Sequence, residues 1–191
     1  MTENIIAELA SKLECDVAEG PFWDNSEQQL YFVDIVNKQI KIFSSSSTPV
    51  ETIQFNQEIS AVFLDQKSDL IVAARDGIFA ASRDGVLETS LAPIELERTS
   101  IRTNDAKCDA NGRMWVGTMA FDFTPGVAAL FSFDSKVLKE VVPDLTVSNG
   151  IGWSLDKKTM YFIDSPTKRL DSFDFDIESG ELRNRRPFVL L

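Results

Sequence analysis

An all-β fold built from a repeated unit is the architecture this sequence predicts, and three observations predict it. Short runs of β-branched and aromatic residues recur along the chain, among them LYFVD at 30–34 and MYFID at 160–164; such side chains suit the pleated, half-buried surface of a strand. Turn dipeptides punctuate the runs: Asp-Gly at 76 and 84, Asn-Gly at 111 and 149, Ser-Gly at 179. Almost no stretch carries the 3.6-residue periodicity of an amphipathic helix.

Four segments share one pattern: an apolar residue, an Asp soon after, a short polar turn, then a strongly apolar strand. The first is EGPFWDNSEQQLYFVD from Glu19, in which Glu-Gly-Pro sets a turn before Phe22 and Trp23. The second, SAVFLDQKSDLIVAA, begins at Ser60. The third, NDAKCDANGRMWVGT, begins at Asn104, and the fourth, NGIGWSLDKKTMYFID, at Asn149. The fifth residue is Trp23, Leu64, Cys108 or Trp153, apolar each time, and the starts lie 41 to 45 residues apart. A period of about 40–50 residues holding several short strands is that of a β-propeller blade, a four-stranded sheet set around a central channel. The chain therefore reads as one propeller domain over 1–191, with about four blades starting near 19, 60, 104 and 149. NRRPFVLL at 184–191 reads as the start of another strand. Either four blades close a ring, or the chain stops short of a larger one.

Rotation about the channel axis brings equivalent blade positions together. The opening residues Glu19, Ser60, Asn104 and Asn149 all bear oxygen, and together they form a candidate ring of hard donors of the kind calcium, magnesium or manganese prefers. Singly, each is also ordinary turn chemistry. The remaining repeated acids, Asp24, Asp65, Asp109 and Asp156 with Asp34 and Asp164, read as turn residues. Trp23 and Trp153 read as inter-blade packing, and Ser44–Ser47 as a solvated loop.

Composition narrows the chemistry. Thirty acidic against 19 basic residues give a formal charge of −11, which disfavours nucleic acid and anionic membranes as partners. The N-terminal stretch lacks the basic and apolar regions of a leader, and no run approaches a membrane span, so a cytoplasmic protein is expected. Cys15 and Cys108 have no partner spacing for a disulfide or a thiolate zinc site. The sequence has no histidine; Ser-His-Asp and Cys-His machinery and imidazole-bound zinc are therefore unavailable. Chemistry must run on carboxylates, amides, Lys, Arg or a metal held by oxygen.

Three separated motifs, AEGPFWD, IRTNDAKCDANGRMWVGTMA and VSNGIGWSLDKKTMYFIDSPTKRLDSFDFDIESGELRNRR, resemble the regucalcin, senescence-marker protein and gluconolactonase family, which also includes luciferin-regenerating enzyme. The resemblance runs from about Glu14 to Arg186. It implies a six-bladed propeller with one divalent cation at the channel mouth, and hydrolysis of small sugar lactones. Glu19 and Asn149 match two of the three protein metal ligands; the cation could be Ca2+, Zn2+, Mg2+ or Mn2+. Arg102 and Asn104 match residues that hold the substrate's oxygens, and Asp122 falls where vertebrate regucalcins carry a substrate-binding Glu. Here the side chain is shorter and Phe121 stands beside it. The third ligand, an Asp that doubles as the presumed base, belongs to a PDG motif in the following blade, beyond Leu191, so no catalytic base is assigned within this chain. Six blades of about 44 residues need about 264, and the resemblance therefore implies a fragment, a splice form or a partial gene model.

A lactone is an ester locked cis in a ring, and a divalent cation polarises its carbonyl and lowers the pKa of a bound water. Arg102 would orient the polyol or stabilise developing charge, and Asn104 can both donate to and accept from a sugar hydroxyl. Weak or absent turnover is expected of this chain if a ligand is missing. A non-catalytic calcium-binding regulatory protein and a propeller used as an interaction platform are the alternative readings; no obligate protein partner is evident.

Overall fold

The computed structural model describes residues 6–44, 47–67, 69–94 and 100–190. Among the described residues, sixteen strands form four antiparallel sheets, each with its strands in sequence order from one edge to the other. The first sheet holds β1 (Ala18–Asp24), β2 (Gln29–Asp34), β3 (Gln39–Ser44) and β4 (Ser47–Gln54). The second holds β5 (Ile59–Leu64), β6 (Leu70–Ala74), β7 (Gly77–Ala81) and β8 (Leu87–Pro93). The third holds β9 (Ile101–Cys108), β10 (Met114–Ala120), β11 (Ala128–Phe133) and β12 (Leu138–Leu145). The fourth holds β13 (Ser148–Trp153), β14 (Thr159–Asp164), β15 (Arg169–Phe175) and β16 (Leu182–Leu190). Of the expected Ser44–Ser47 loop, Ser45 and Ser46 lie outside the described residues.

Strand alternation explains how the sheets pack. In β6, Leu70, Val72 and Ala74 join a core shared with the first sheet, while Ala73 joins a core shared with the third. In β10, Met114 and Val116 face the second sheet, and Trp115 faces the fourth, where Leu130, Met160 and Phe162 are also fully buried. A strand buried on both faces loses its polar alternation, and every residue of MWVGTMA is buried. Among the described residues three cores thus join four successive sheets, and none joins the fourth to the first.

The fifth residue of each repeat follows the same geometry. Leu64 packs on the core between sheets one and two, Cys108 between two and three, and Trp153 between three and four. Each faces the preceding sheet. Trp153 meets Trp115 and Phe175 with ring centroids 6.0 and 5.9 Å apart. Trp23, expected to pack between blades, is instead 51% exposed: it faces the side of sheet one on which the described residues place no neighbouring sheet. Residues 184–190 of NRRPFVLL are strand, as the sequence suggests. They belong to the long outer strand β16, which begins two residues earlier at Leu182; Pro187 sits opposite Asp171 on the sheet's free edge, a position that tolerates a residue without an N–H.

The repeated aspartates are turn residues. Oδ1 of Asp24 accepts the Ser26 N–H at 2.8 Å, that of Asp65 the Lys67 N–H at 2.7 Å, that of Asp109 the Asn111 N–H at 2.9 Å and that of Asp156 the Lys158 N–H at 3.1 Å. Asp34 and Asp164 form an equivalent pair at the ends of β2 and β14, opposite the first residues of the innermost strands. Asp34 accepts N–H bonds from Asp16 and Val17, and Asp164 from Thr146 and Val147.

Candidate site at the channel mouth

The innermost strands β1, β5, β9 and β13 each carry a register shift against their hairpin partner at the same level: between Glu19 and Phe22, Ile59 and Ala61, Thr103 and Ala106, and Asn149 and Ile151. A bulge adds a residue, increases the local twist and re-aims the side chains beside it. In β1 the device depends on Gly20, whose φ of +57° lies in the left-handed region; a Cβ there would meet the Ser60 carbonyl oxygen at 3.2 Å.

The bulges of β1, β9 and β13 border one cavity of about 480 Å³, lined by Glu19, Arg102, Asn104 and Asn149, with Val17, Ile35, Met119, Phe123, Val147 and, from the 3₁₀ turn at Ser165–Thr167, Ser165 and Pro166 completing its wall. Glu19 comes from sheet one, Arg102 and Asn104 from sheet three, and Asn149 from sheet four. A second cavity of about 620 Å³ shares Glu19 and Asn149 and continues along the inner strands past Asp105, Lys107, Cys108 and Ile151. Glu19 and Asn149 therefore stand where the two spaces meet.

Arg102 is held firmly. Its Nη1 donates to the Thr103 carbonyl at 2.7 Å and to Asn104 Oδ1 at 3.0 Å. Burial pulls its guanidinium below the ordinary range, against the opposing pull of the Glu58 and Glu19 carboxylates. Asn104 Nδ2 donates to the Ser148 carbonyl at 3.0 Å, tying β9 to β13. Asn149 Oδ1 accepts the Gly150 N–H at 3.0 Å and Nδ2 donates to Ser165 Oγ at 3.3 Å. One lone pair of the Asn149 amide oxygen thus remains for a ligand.

Two expected members stand apart. Ser60 is buried, its hydroxyl paired with Thr103 Oγ1 at 2.7 Å and the Ala73 carbonyl at 3.2 Å, and it lines neither cavity; it is the extra residue of the β5 bulge, turned into the sheet interface. Asp122 is exposed and does not line the mouth. Its Oδ1 accepts the Thr124 N–H at 3.1 Å and hydroxyl at 2.7 Å, which caps the turn after β10.

Sequence reading passed over two acids. Asp105 follows Asn104, and strict alternation would turn it away from the channel; the bulge between Thr103 and Ala106 brings both toward the axis. Burial raises the Asp105 carboxyl above its ordinary value, the Ile151 N–H and Lys107 pull it down, and Glu19 adds to the rise. Glu58, just before β5, reaches the site through its field on Arg102. Burial, with Asp109, pushes the Cys108 thiol up to about 11, so its thiolate is scarce at neutral pH.

In chemical kind, Glu19 and Asn149 fit a hard divalent cation, a carboxylate and an amide oxygen on one wall. Among the described residues no three His, Cys, Asp or Glu side chains gather into a metal cluster, so a cation here would draw its remaining ligands from elsewhere. No helix among the described residues is long and apolar enough to cross a membrane.

Four successive antiparallel sheets, with an oxygen-lined cavity bordered by their inner strands, define a propeller-like protein. The chain belongs to the SMP-30/Gluconolactonase/LRE-like family, whose model matches residues 17–191. It is 32% identical over 184 residues to the Bacillus subtilis protein named "Putative sugar lactone lactonase YvrE", covering 95% of this chain and 62% of that one. It is 31% identical to chicken regucalcin over 188 residues, covering 92% of this chain and 62% of regucalcin. The solved structure of a luciferin-regenerating enzyme superposes with a TM-score of 0.85 at 31% identity, covering 92% of this chain and 61% of that one. The chain thus spans about three fifths of the length of these relatives.

Proposed function

We propose that this chain carries the site-forming part of a divalent-cation-dependent hydrolase of small sugar lactones, gluconolactone being the model substrate. The observation that supports it most is the meeting of Glu19, Asn149, Arg102 and Asn104 from three sheets on a single cavity. Glu19 and Asn149 would hold the cation. When bound, it would act as a Lewis acid on the lactone carbonyl.

The chain's own groups would bind and orient. Arg102 is fixed through Nη1, so Nη2 and Nε are its donors toward a substrate oxygen or the negative charge that develops as water adds to the carbonyl carbon and the ring C–O bond breaks. Asn104, anchored through Nδ2 to Ser148, offers its carbonyl oxygen to a hydroxyl. Met119, Phe123, Val147 and Pro166 give the cavity an apolar wall that excludes water from part of the bound ring. In the whole protein, further blades would pack on the exposed Trp23 side and on the open face of sheet four, in a six-bladed ring that supplies the third ligand and the base.

Titrating acid release from glucono-δ-lactone tests this reading in a protein that includes this chain. Turnover should depend on added divalent cation, vanish with a chelator and vanish in Glu19→Gln, while Arg102→Ala should lower kcat/KM by about 10- to 100-fold, as for loss of a charged hydrogen-bond donor. Chelator-resistant turnover would sink the proposal. Cation binding without any turnover would favour a calcium-binding regulatory role.

A further inference from the structure

Behind Arg102 lies an arrangement that the roles above do not use. Phe121, the first residue after β10, keeps its ring 45% exposed, although a bulky apolar side chain beside a polar mouth gains nothing from that exposure. Its backbone N–H is anchored to the Ser100 carbonyl at 2.8 Å. The Arg102 guanidinium carbon lies 5.7 Å from the ring centroid, and that of Arg75, at the end of β6 in the neighbouring sheet, lies 5.6 Å from it. The Arg75 carbonyl also accepts the Thr103 N–H at 3.0 Å, so the two sheets are fastened beside the stack. Neither Phe121 nor Arg75 lines the mouth cavity.

Two guanidiniums would normally repel one another. Within about 6 Å of an aromatic face each is attracted by the ring's negative quadrupole, and a planar ring between or beside them lets both remain close. Arg102 Nη1 is held by Thr103 and Asn104 and its guanidinium carbon lies by the ring, which leaves it few orientations. A long side chain otherwise loses substantial rotamer freedom when it binds a ligand.

We propose that Phe121 is a positioning residue: with Arg75 it forms a cation–aromatic clip across sheets two and three that presets the Arg102 guanidinium over the mouth for an oxygen-rich ligand. Its consequence for turnover rests on the lactonase reading; the clip itself does not. Phe121 acts on ligand binding through Arg102, and its loss should appear in KM more than in kcat. Tyrosine keeps the aromatic face and should substitute for it, whereas leucine keeps the bulk and loses the quadrupole.

The test uses the 191-residue chain and its Phe121→Leu and Phe121→Tyr variants, with Arg102→Lys to assign the Arg102 signal. In the arginine Nε–H proton–nitrogen spectrum, Arg102 should carry an upfield ring-current displacement in the wild type and in Phe121→Tyr, and lose it in Phe121→Leu. In the cation-supplemented lactone assay, on a protein that includes this chain, Phe121→Leu should raise KM about three- to tenfold, the range of a partly desolvated cation–aromatic contact, with kcat within about twofold. Phe121→Tyr should restore KM. An Arg102 resonance unmoved by Phe121→Leu overturns the clip, and a lost ring-current displacement with unchanged KM overturns its positioning role. Absence of wild-type turnover would instead count against the lactonase reading, with the spectrum still deciding the clip.

Discussion

Asp34 shows how a single side chain in this protein joins sequence to stability. Its carboxylate is 1% exposed, and desolvation alone would raise its pKa, yet hydrogen bonds from the Asn37 side chain and from the Val17 and Asp16 N–H groups outweigh burial and hold it below the ordinary carboxylate range. The folded value being depressed, the stabilisation is present above the unfolded pKa and is lost as pH falls through the folded one. Asp34→Asn should therefore cost about 1.5–3 kcal/mol near neutral pH, the worth of hydrogen bonds to a charged group. In thermal melts between pH 7 and pH 2.5, the gap to wild type should narrow on the acid side; a gap independent of pH would refute the linkage. That role was legible in the sequence, because Asp34 and Asp164 close matching strands in matching repeats. Asp105 was not legible, because a period-2 strand points neighbours in opposite directions and nothing in IRTND announces the bulge that brings both side chains to the channel.

Among the elements, the bulged inner strands β1, β9 and β13 position the residues of the candidate site. Gly20→Ala would place a Cβ at a φ of +57° and 3.2 Å from the Ser60 carbonyl. It should destabilise by about 1–2 kcal/mol, as for an L-residue forced into the left-handed region, and displace Glu19. Gly152 lies on β13, with nothing within 4 Å of a built Cβ, so Gly152→Ala should change urea stability by less than about 0.5 kcal/mol. Equal costs at the two glycines would contradict the role given to the β1 bulge. The repeat register was readable from spacing alone, since four apolar fifth positions recur and three of them pack on the preceding sheet. The exposure of Trp23 was not readable: the same residue type at the same register position is buried or exposed according to whether a sheet stands beside it, which is a property of the neighbour and not of the repeat.

For the molecule as a whole, the net charge and the carboxylates at the mouth favour the same kind of ligand. A chain with net charge −11 draws cations toward its surface, and at the mouth the Glu19 and Glu58 carboxylates act on a half-buried guanidinium within reach of an amide oxygen. The family, the succession of sheets and the separation of the mouth residues among three of them were all recoverable from motif order; the shape of the cavity, and the departure of Ser60 and Asp122 from it, required the folded chain. Glu19 and Asn149 are proposed to form part of a cation seat at the mouth, and thermal unfolding of a protein that includes this chain, with and without calcium or manganese, tests it most directly. At a cation concentration near 100 times Kd, ligand linkage gives about 2.7 kcal/mol, so the wild type should melt roughly 5–10 °C higher, and Glu19→Gln should lose most of that rise. A wild type indifferent to both cations, or a Glu19→Gln variant stabilised as much as the wild type, would contradict it.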